Sequence, residues 1–260
     1  MKILFFGDIV GKPGREAIKI VLPKWRKEYR PDFVVANGEN IAHGRGITEK
    51  SLKEILDAGI DFVTSGDHIW DNKKVISLLE NEEIPLIRPA NYPSICPGKG
   101  WRVVQIRTKK ILVINLIGRV FMHYNYDDPF RCADEILNEV EDIDSVIVDW
   151  HAEATSEKIC LGWYLDGRVS AVLGTHTHIP TADERILPKG TAYISDVGMV
   201  GVKDSSLGMD KEIALKVFKT QIPYRLEIAQ GPVEINAVLV ETLSKNKAKS
   251  IKRLKEVLEL

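Results

Sequence analysis

Short apolar runs closed by Gly, Asp or Asn alternate with longer amphipathic segments over the first 150 residues. The runs predict buried strands at Lys2–Phe6, Phe33–Ala36 and Asp61–Thr64. Apolar spacings of three and four predict helices over Glu16–Glu28, Thr48–Ala58 and near Lys73–Asn81. Pro13 stands where the first helix could start, and Thr48 caps the second with Glu49 in its first turn. A short strand follows at Leu86–Ile87, then a hairpin of Trp101–Arg107 and Ile111–Leu116 turning near Lys109 and Lys110. Next come a helix near Ala133–Val140, a strand at Ser145–Trp150, a helix near Ser156–Tyr164 and a strand at Val169–Leu173. The remainder reads as strands around Ala192–Ser195, Tyr224–Ile228 and Glu234–Glu241, then a helix from about Ser244. On that helix Lys245, Lys247, Lys249, Lys252 and Lys255 lie apart from Ile251, Leu254 and Leu258. A solvated amphipathic helix explains this pattern, and RNA contact is the alternative. No repeat or low-complexity tract interrupts the chain, so residues 1–260 read as one α/β domain with a mixed sheet or two packed sheets.

Charge narrows the functions open to such a domain. The chain has 36 basic and 37 acidic side chains, a formal net charge of −1. A polybasic nucleic-acid wrapper or an acidic disordered tail would show a large excess of one sign. The three cysteines, Cys96, Cys132 and Cys160, are odd in number and widely spaced, which argues against a disulfide scaffold and for a reducing cytoplasm. The apolar run at the N-terminus stops at Gly7-Asp8, too short for a signal peptide. Ile111–Ile117 is interrupted by Asn115, far short of the roughly 20 apolar residues of a membrane span. The expectation is a soluble cytoplasmic protein without a membrane partner.

The informative polar residues fall at strand ends. Asp8 follows the first strand, Glu39-Asn40 the second, and Asp67-His68 the third. His151 follows the strand ending at Trp150, and His176 and His178 follow the one ending at Leu173. Ligands of α/β sheets bind outside the carboxyl ends of the strands, so these five loops could converge. Carboxylate, amide and imidazole groups without thiolates suit Mn, Fe or Zn in a reactive site rather than a structural zinc. The set exceeds the needs of one ion. Two ions about 3.5–4 Å apart, bridged by a carboxylate and a hydroxide, would use it.

In order, Gly7-Asp8, Gly38-Glu39-Asn40, Gly66-Asp67-His68, His151 and Gly174-Thr175-His176-Thr177-His178 resemble the motif series of the calcineurin-like metallophosphoesterases. The match spans residues 3–180. Gly-Asp-Ile-Val-Gly-x-Pro-Gly-Arg at 7–15 and Asn-Gly-Glu-Asn at 37–40 resemble the YmdB-like bacterial branch. That resemblance implies a four-layer α/β/β/α sandwich with mixed sheets, residues 181–260 completing the second sheet and adding the C-terminal helix. It also implies two metals and hydrolysis of small cyclic nucleotides, notably 2',3'-cyclic ones. One metal would take Asp8, Glu39, Asn40 and His178. The other would take Glu39, Asp67, His151 and His176, with Glu39 bridging and His68 beside the pair. Three positions depart from the broad superfamily: Val10 replaces a histidine, Glu39 a shorter aspartate, and Asp67 the usual asparagine. Two divalent ions against three carboxylates and a hydroxide leave no net charge. Asparagine at 67 would leave one positive charge, so Asp67 is expected to shift metal preference, toward mixed-valence iron.

The expected reaction is in-line attack on phosphorus by the metal-bridging hydroxide, with His68 protonating the leaving alkoxide. The alternatives are a nuclease or phosphomonoesterase on the same site, or a regulatory protein that binds a nucleotide with little turnover. Lys12 and Arg15, in a turn entering a helix, are candidate substrate contacts. His43 on a glycine-rich loop and Arg119 are the others. The aromatic stretch 118–130 fits either a lid that stacks a base or a contact between subunits of a homo-oligomer.

Overall fold

Local sequence dictates most of the elements in the computed structural model, which describes residues 1–243 and 246–260. β1 (Lys2–Phe6) and β2 (Asp8–Ile9) lead into α1 (Gly11–Tyr29), β3 (Phe33–Asn37), α2 (Glu49–Asp57) and β4 (Phe62–Thr64). A 3₁₀ turn at Asp67–Trp70 and α3 (Val75–Glu80) follow. α2 begins in a capping box, with Ser51 N donating to the Thr48 hydroxyl at 3.1 Å and Thr48 N to Ser51 at 3.0 Å. β5 (Trp101–Ile106) and β6 (Lys109–Ile117) form the hairpin, its turn falling just before Lys109. Then come α4 (Pro129–Glu139), β7 (Ser145–His151), α5 (Thr155–Leu165) and β8 (Ala171–Thr175). The last part contains β9 (Arg185–Ile186), β10 (Ala192–Ile194), β11 (Met199–Val202), α6 (Lys211–Thr220), β12 (Val233–Thr242) and β13 (Ala248–Leu258).

The strands form two mixed sheets. In the first, β1, β3 and β4 run parallel, and β12 pairs antiparallel with β1, β11 and β13. Ile235 of β12 pairs with Val200 and Glu256, and Val240 with Ile3 and Ile251. β13 therefore covers one edge of β12, and β1 and β11 share the other. In the second sheet, β6, β7, β8 and β10 run parallel, flanked by antiparallel β5 and β9.

Alternation along the strands sorts side chains into three cores. Ile3 and Phe5 meet Ile111, Val113 and Ile147 in the core between the sheets. Leu4 and Phe6 face the other way, toward Ile18, Leu22 and Trp25 of α1. Leu112 and Val148 pack with Ala133 of α4 and Leu161 of α5. Strands buried on both faces carry continuous apolar runs, which is why the sequence made them visible.

The last third departs from expectation. Only β9 and β10 join the second sheet, whereas β11, β12 and β13 build the first. Of the helix expected from Ser244, Ser244 and Lys245 lie outside the described residues, and Ala248–Leu258 is a strand. Its lysines pair across the sheet, Lys255 with Glu234 at 2.7 Å and Lys249 with Glu241 at 3.1 Å. Long antiparallel pairing with β12 overrides the three-and-four spacing, and lysines protect an edge strand from further pairing. Tyr224–Ile228 makes a single bridge, Met209 to Ile228, instead of a strand. Leu86 likewise makes one bridge, to Val63. α6 was unforeseen, although Asp210 caps it by accepting from Ile213 N at 2.9 Å.

Candidate metal centre

The residues beyond five strands meet at one edge of the two sheets. Asp8 opens β2, Glu39 and Asn40 follow β3, and Asp67 opens the 3₁₀ turn beyond β4. His151 ends β7, and His176 and His178 follow β8. Glu39, Asp67, His151 and His176 form the tightest group, with one ligand atom from each within 4.8 Å of the others. His151 Nε2 lies 3.1 Å from Asp67 Oδ1, 3.3 Å from Glu39 Oε2 and 3.0 Å from His176 Nδ1. Asn40 Nδ2 lies 3.0 Å from Glu39 Oε1 and 3.1 Å from His178 Nε2. Asp8 Oδ1 is 3.9 Å from His178 Nε2 and 3.9 Å from His151 Nδ1. Glu39 thus turns one oxygen to each side of the cluster.

The electrostatics fit a cation. Burial pushes Asp8 up to about 7 against the pull of His151. Burial also opposes ionisation of Glu39, but the attraction of His151 outweighs it and the carboxyl stays below its usual range. For Asp67, hydrogen bonds from His151 and His176 outweigh burial in the same way. His151 is opposed by burial yet raised well above its ordinary value by Glu39, Asp67 and Asp8. Its proton supplies positive charge that the surrounding carboxylates demand. A cation would supply that charge and release Nε2 for coordination. Asp8 Oδ1 is buried without a hydrogen-bond partner among the described residues, so its lone pairs fit a cation ligand. The Asn40 amide presents nitrogen, so it must turn over to offer oxygen.

The frame around the cluster is built with equal care. Gly66 is required for space, because a Cβ there would sit on Glu39 Oε2 and His151 Nε2. His151 Nδ1 lies 2.9 Å from Thr175 Oγ1, which donates to buried Asp149 at 2.7 Å. With its own proton on Asp149, Thr175 accepts from Nδ1–H, so a cation that displaced the Nε2 proton would meet the Nε2 lone pair. His176 and His178 both adopt left-handed backbone, φ 98° and 65°. Such residues cost about 1–3 kcal/mol each and persist only when neighbours fix them. Lys158 Nζ donates to the Thr175 carbonyl and to Asp196 Oδ2, both at 2.6 Å, and Asp196 Oδ2 accepts from Thr177 N at 3.1 Å.

The profile of the YmdB-like protein family matches residues 4–254. The chain belongs to that family. The 2',3'-cyclic-nucleotide 2'-phosphodiesterase of Bacillus subtilis is 50% identical to it over 243 residues, 93% of this chain and 91% of that protein. A putative phosphatase/phosphodiesterase of Mycoplasma pneumoniae is 36% identical, covering 93% of this chain and 87% of its own. A hypothetical protein from Thermus thermophilus superposes with a TM-score of 0.93 at 44% identity, over 99% of both chains. A putative 5'-nucleotidase from Staphylococcus aureus shares the fold, with a TM-score of 0.60 at 15% identity, over 98% of this chain and 54% of that one.

In this YmdB-like chain the seven expected ligands come together, with His68 at their margin. The expected substrate contacts do not join them. Lys12 pairs with Glu16 at 3.5 Å. Arg15 binds Glu54 at 2.8 Å and the Ile41 carbonyl, so it braces the loop carrying Glu39 and Asn40. His43 lines a cleft beside the centre, and Arg119 lines a separate one with Glu157 and Phe130. In the 118–130 stretch Tyr126 is buried against Tyr92, whereas Phe121 is exposed. Sequence reasoning missed Asp149, Thr175, Lys158 and Asp196. Asp149 carries the one available signal, a charge inside the apolar run of β7. No helix among the described residues is long and apolar enough to cross a membrane.

Proposed function

We propose that this chain is a dinuclear metal-dependent phosphodiesterase of small cyclic nucleotides, 2',3'-cyclic ones foremost, on a four-layer α/β/β/α sandwich. The observation that carries the reading is Glu39, whose Oε1 faces Asn40 and whose Oε2 faces His151. A carboxylate so placed can serve two ions at once: Asp8, Asn40 and His178 on one side, Asp67, His151 and His176 on the other. The Bacillus relative acts on 2',3'-cyclic nucleotides by its name, and half of the aligned residues are identical. Mixed oxygen and imidazole donors favour iron or manganese, with zinc also compatible. Ions bound there would activate water and offset charge on the phosphoryl oxygens. Three free cysteines support a reducing cytoplasm as the site of action.

The chain's own residues then handle orientation and the proton. His68 N donates to Glu39 Oε2 at 3.1 Å and steadies the bridging carboxylate. Asp71 Oδ2 holds His68 Nδ1 at 3.1 Å, turning Nε2 back toward Asp67 at 4.0 Å. From this margin Nε2 can protonate the leaving ribose oxygen. His68→Ala is expected to lower turnover by about 10²–10⁴-fold with metal content intact. Near-normal turnover in the loaded variant would remove His68 from the acid role. The decisive assay sets metal-loaded protein against 2',3'-cyclic, 3',5'-cyclic, monoester and single-stranded RNA substrates. Turnover of the 2',3'-cyclic nucleotide is expected, and activity confined to RNA overturns the reading.

Asp67 sets the charge of the site. Asp67→Asn is expected to reduce the iron bound relative to manganese or zinc when protein is loaded from an equimolar mixture. Elemental analysis and turnover test this together; if neither changes, Asp67 does not govern metal choice.

A further inference from the structure

A cleft of about 710 Å³ is lined by residues that neighbour or hold members of the ligand cluster. Three of its walls continue loops that carry the centre. Ala42 and His43 follow Asn40, Asp71 holds His68, and Met209 lies two residues beyond Leu207, whose carbonyl is 3.0 Å from His178 Nδ1. Arg45, Lys73 and Arg225 line the cleft, and Asp71 is its sole acidic lining residue among those described. None of these three cationic side chains forms an ion pair or hydrogen bond among the described residues, so all three are available to an anionic ligand. Tyr224 also lines the cleft, with Lys216 Nζ 4.2 Å from its ring centroid.

A cyclic mononucleotide has one phosphate, and that group must sit at the ligand cluster to react. It leaves nothing anionic for the three cations. A ligand with further phosphates would pair with them, while Tyr224 offers an aromatic wall for a base. Resting on the phosphodiesterase reading above, we propose that the cleft holds the nucleotides 5' of the reacting end, making the preferred substrate a short oligoribonucleotide ending in a 2',3'-cyclic phosphate. In the reaction the oxygen of water joins phosphorus, the bond from phosphorus to O2' breaks, and O2' takes a proton. The chain keeps its length and ends in a 3'-phosphate.

The test compares kcat/KM of metal-loaded protein for adenosine 2',3'-cyclic phosphate, the same nucleotide with a 5'-phosphate, and a dinucleotide ending in a 2',3'-cyclic phosphate. The dinucleotide is expected to lead the plain mononucleotide by roughly tenfold or more, the effect of one charge-assisted hydrogen bond. That ratio should fall toward one in Arg45→Ala/Arg225→Ala, and in Lys73→Glu as a separately folded check. It should also fall with added salt. Equal kcat/KM for the dinucleotide and mononucleotide overturns the proposal, as does an equal gain from the 5'-phosphate alone. Titration of a fluorescent 3'-phosphorylated dinucleotide separates the two readings. Binding that depends on Arg45 and Arg225 without any turnover would support the cleft and sink the phosphodiesterase assignment. Turnover without that binding would do the reverse.

Discussion

Glu39→Ala is expected to empty both halves of the metal centre at once. The side chain is buried, and its two oxygens face different partners: Oε1 lies 3.0 Å from Asn40 Nδ2, and Oε2 3.3 Å from His151 Nε2. Loss of His178, by contrast, should deplete one ion and leave the Asp67, His151 and His176 group intact. Metals contribute several kcal/mol to stabilising charge in a phosphoryl transition state. Removing both should therefore cost about 10³-fold or more in turnover. Metal per chain, measured by mass spectrometry on Glu39→Ala and His178→Ala, separates a bridge from an ordinary ligand. If Glu39→Ala keeps two ions, or loses no more metal than His178→Ala, Glu39 is not the bridge. Circular dichroism checks that the variants stay folded.

The ligands of this centre were legible because each follows an apolar run that could only be a buried strand. Parallel strands place their carboxyl ends on one side, so position along the chain translates into position at the site. What holds the ligands was not legible. Thr175 serves Asp149 across 26 residues, and Thr64 reaches the same carboxylate across 85. Nothing in local spacing announces such pairings, although an aspartate inside the apolar run of β7 should have prompted the question. β13 failed for a related reason. Ile251, Leu254 and Leu258 satisfy helical spacing, but the partner that decides the matter is β12, already committed to a sheet. The identity of a candidate substrate contact was equally hidden, since Arg15 is a reasonable phosphate ligand until Glu54 is seen to engage it.

The second large effect is expected from a buried ion pair directly behind the His176 and His178 ligands. Lys158 and Asp196 are almost fully buried, with side chains 2% and 1% exposed. Their ion pair sits under the Thr175–His178 turn. Lys158 holds the Thr175 carbonyl, and Asp196 holds the amides of Thr177 and Gly198. Lys158→Met leaves Asp196 as a buried carboxylate without its counter-charge, which costs about 3–5 kcal/mol in comparable pairs. For a chain of this size that lowers the melting temperature by roughly 6–20 °C. Adding Asp196→Asn to Lys158→Met should restore part of the loss, because the amide oxygen still accepts from Thr177 while the stranded charge is gone. Metal affinity should not recover in parallel. His176 and His178 occupy left-handed backbone that the clamp keeps in place, and without Lys158 the Thr175 carbonyl is free to relax the turn. Thermal melts and metal titrations on the single and double variants test the two halves separately. An unchanged melting temperature in Lys158→Met would show that water reaches Asp196, and full metal affinity would show that the turn holds its shape without the clamp.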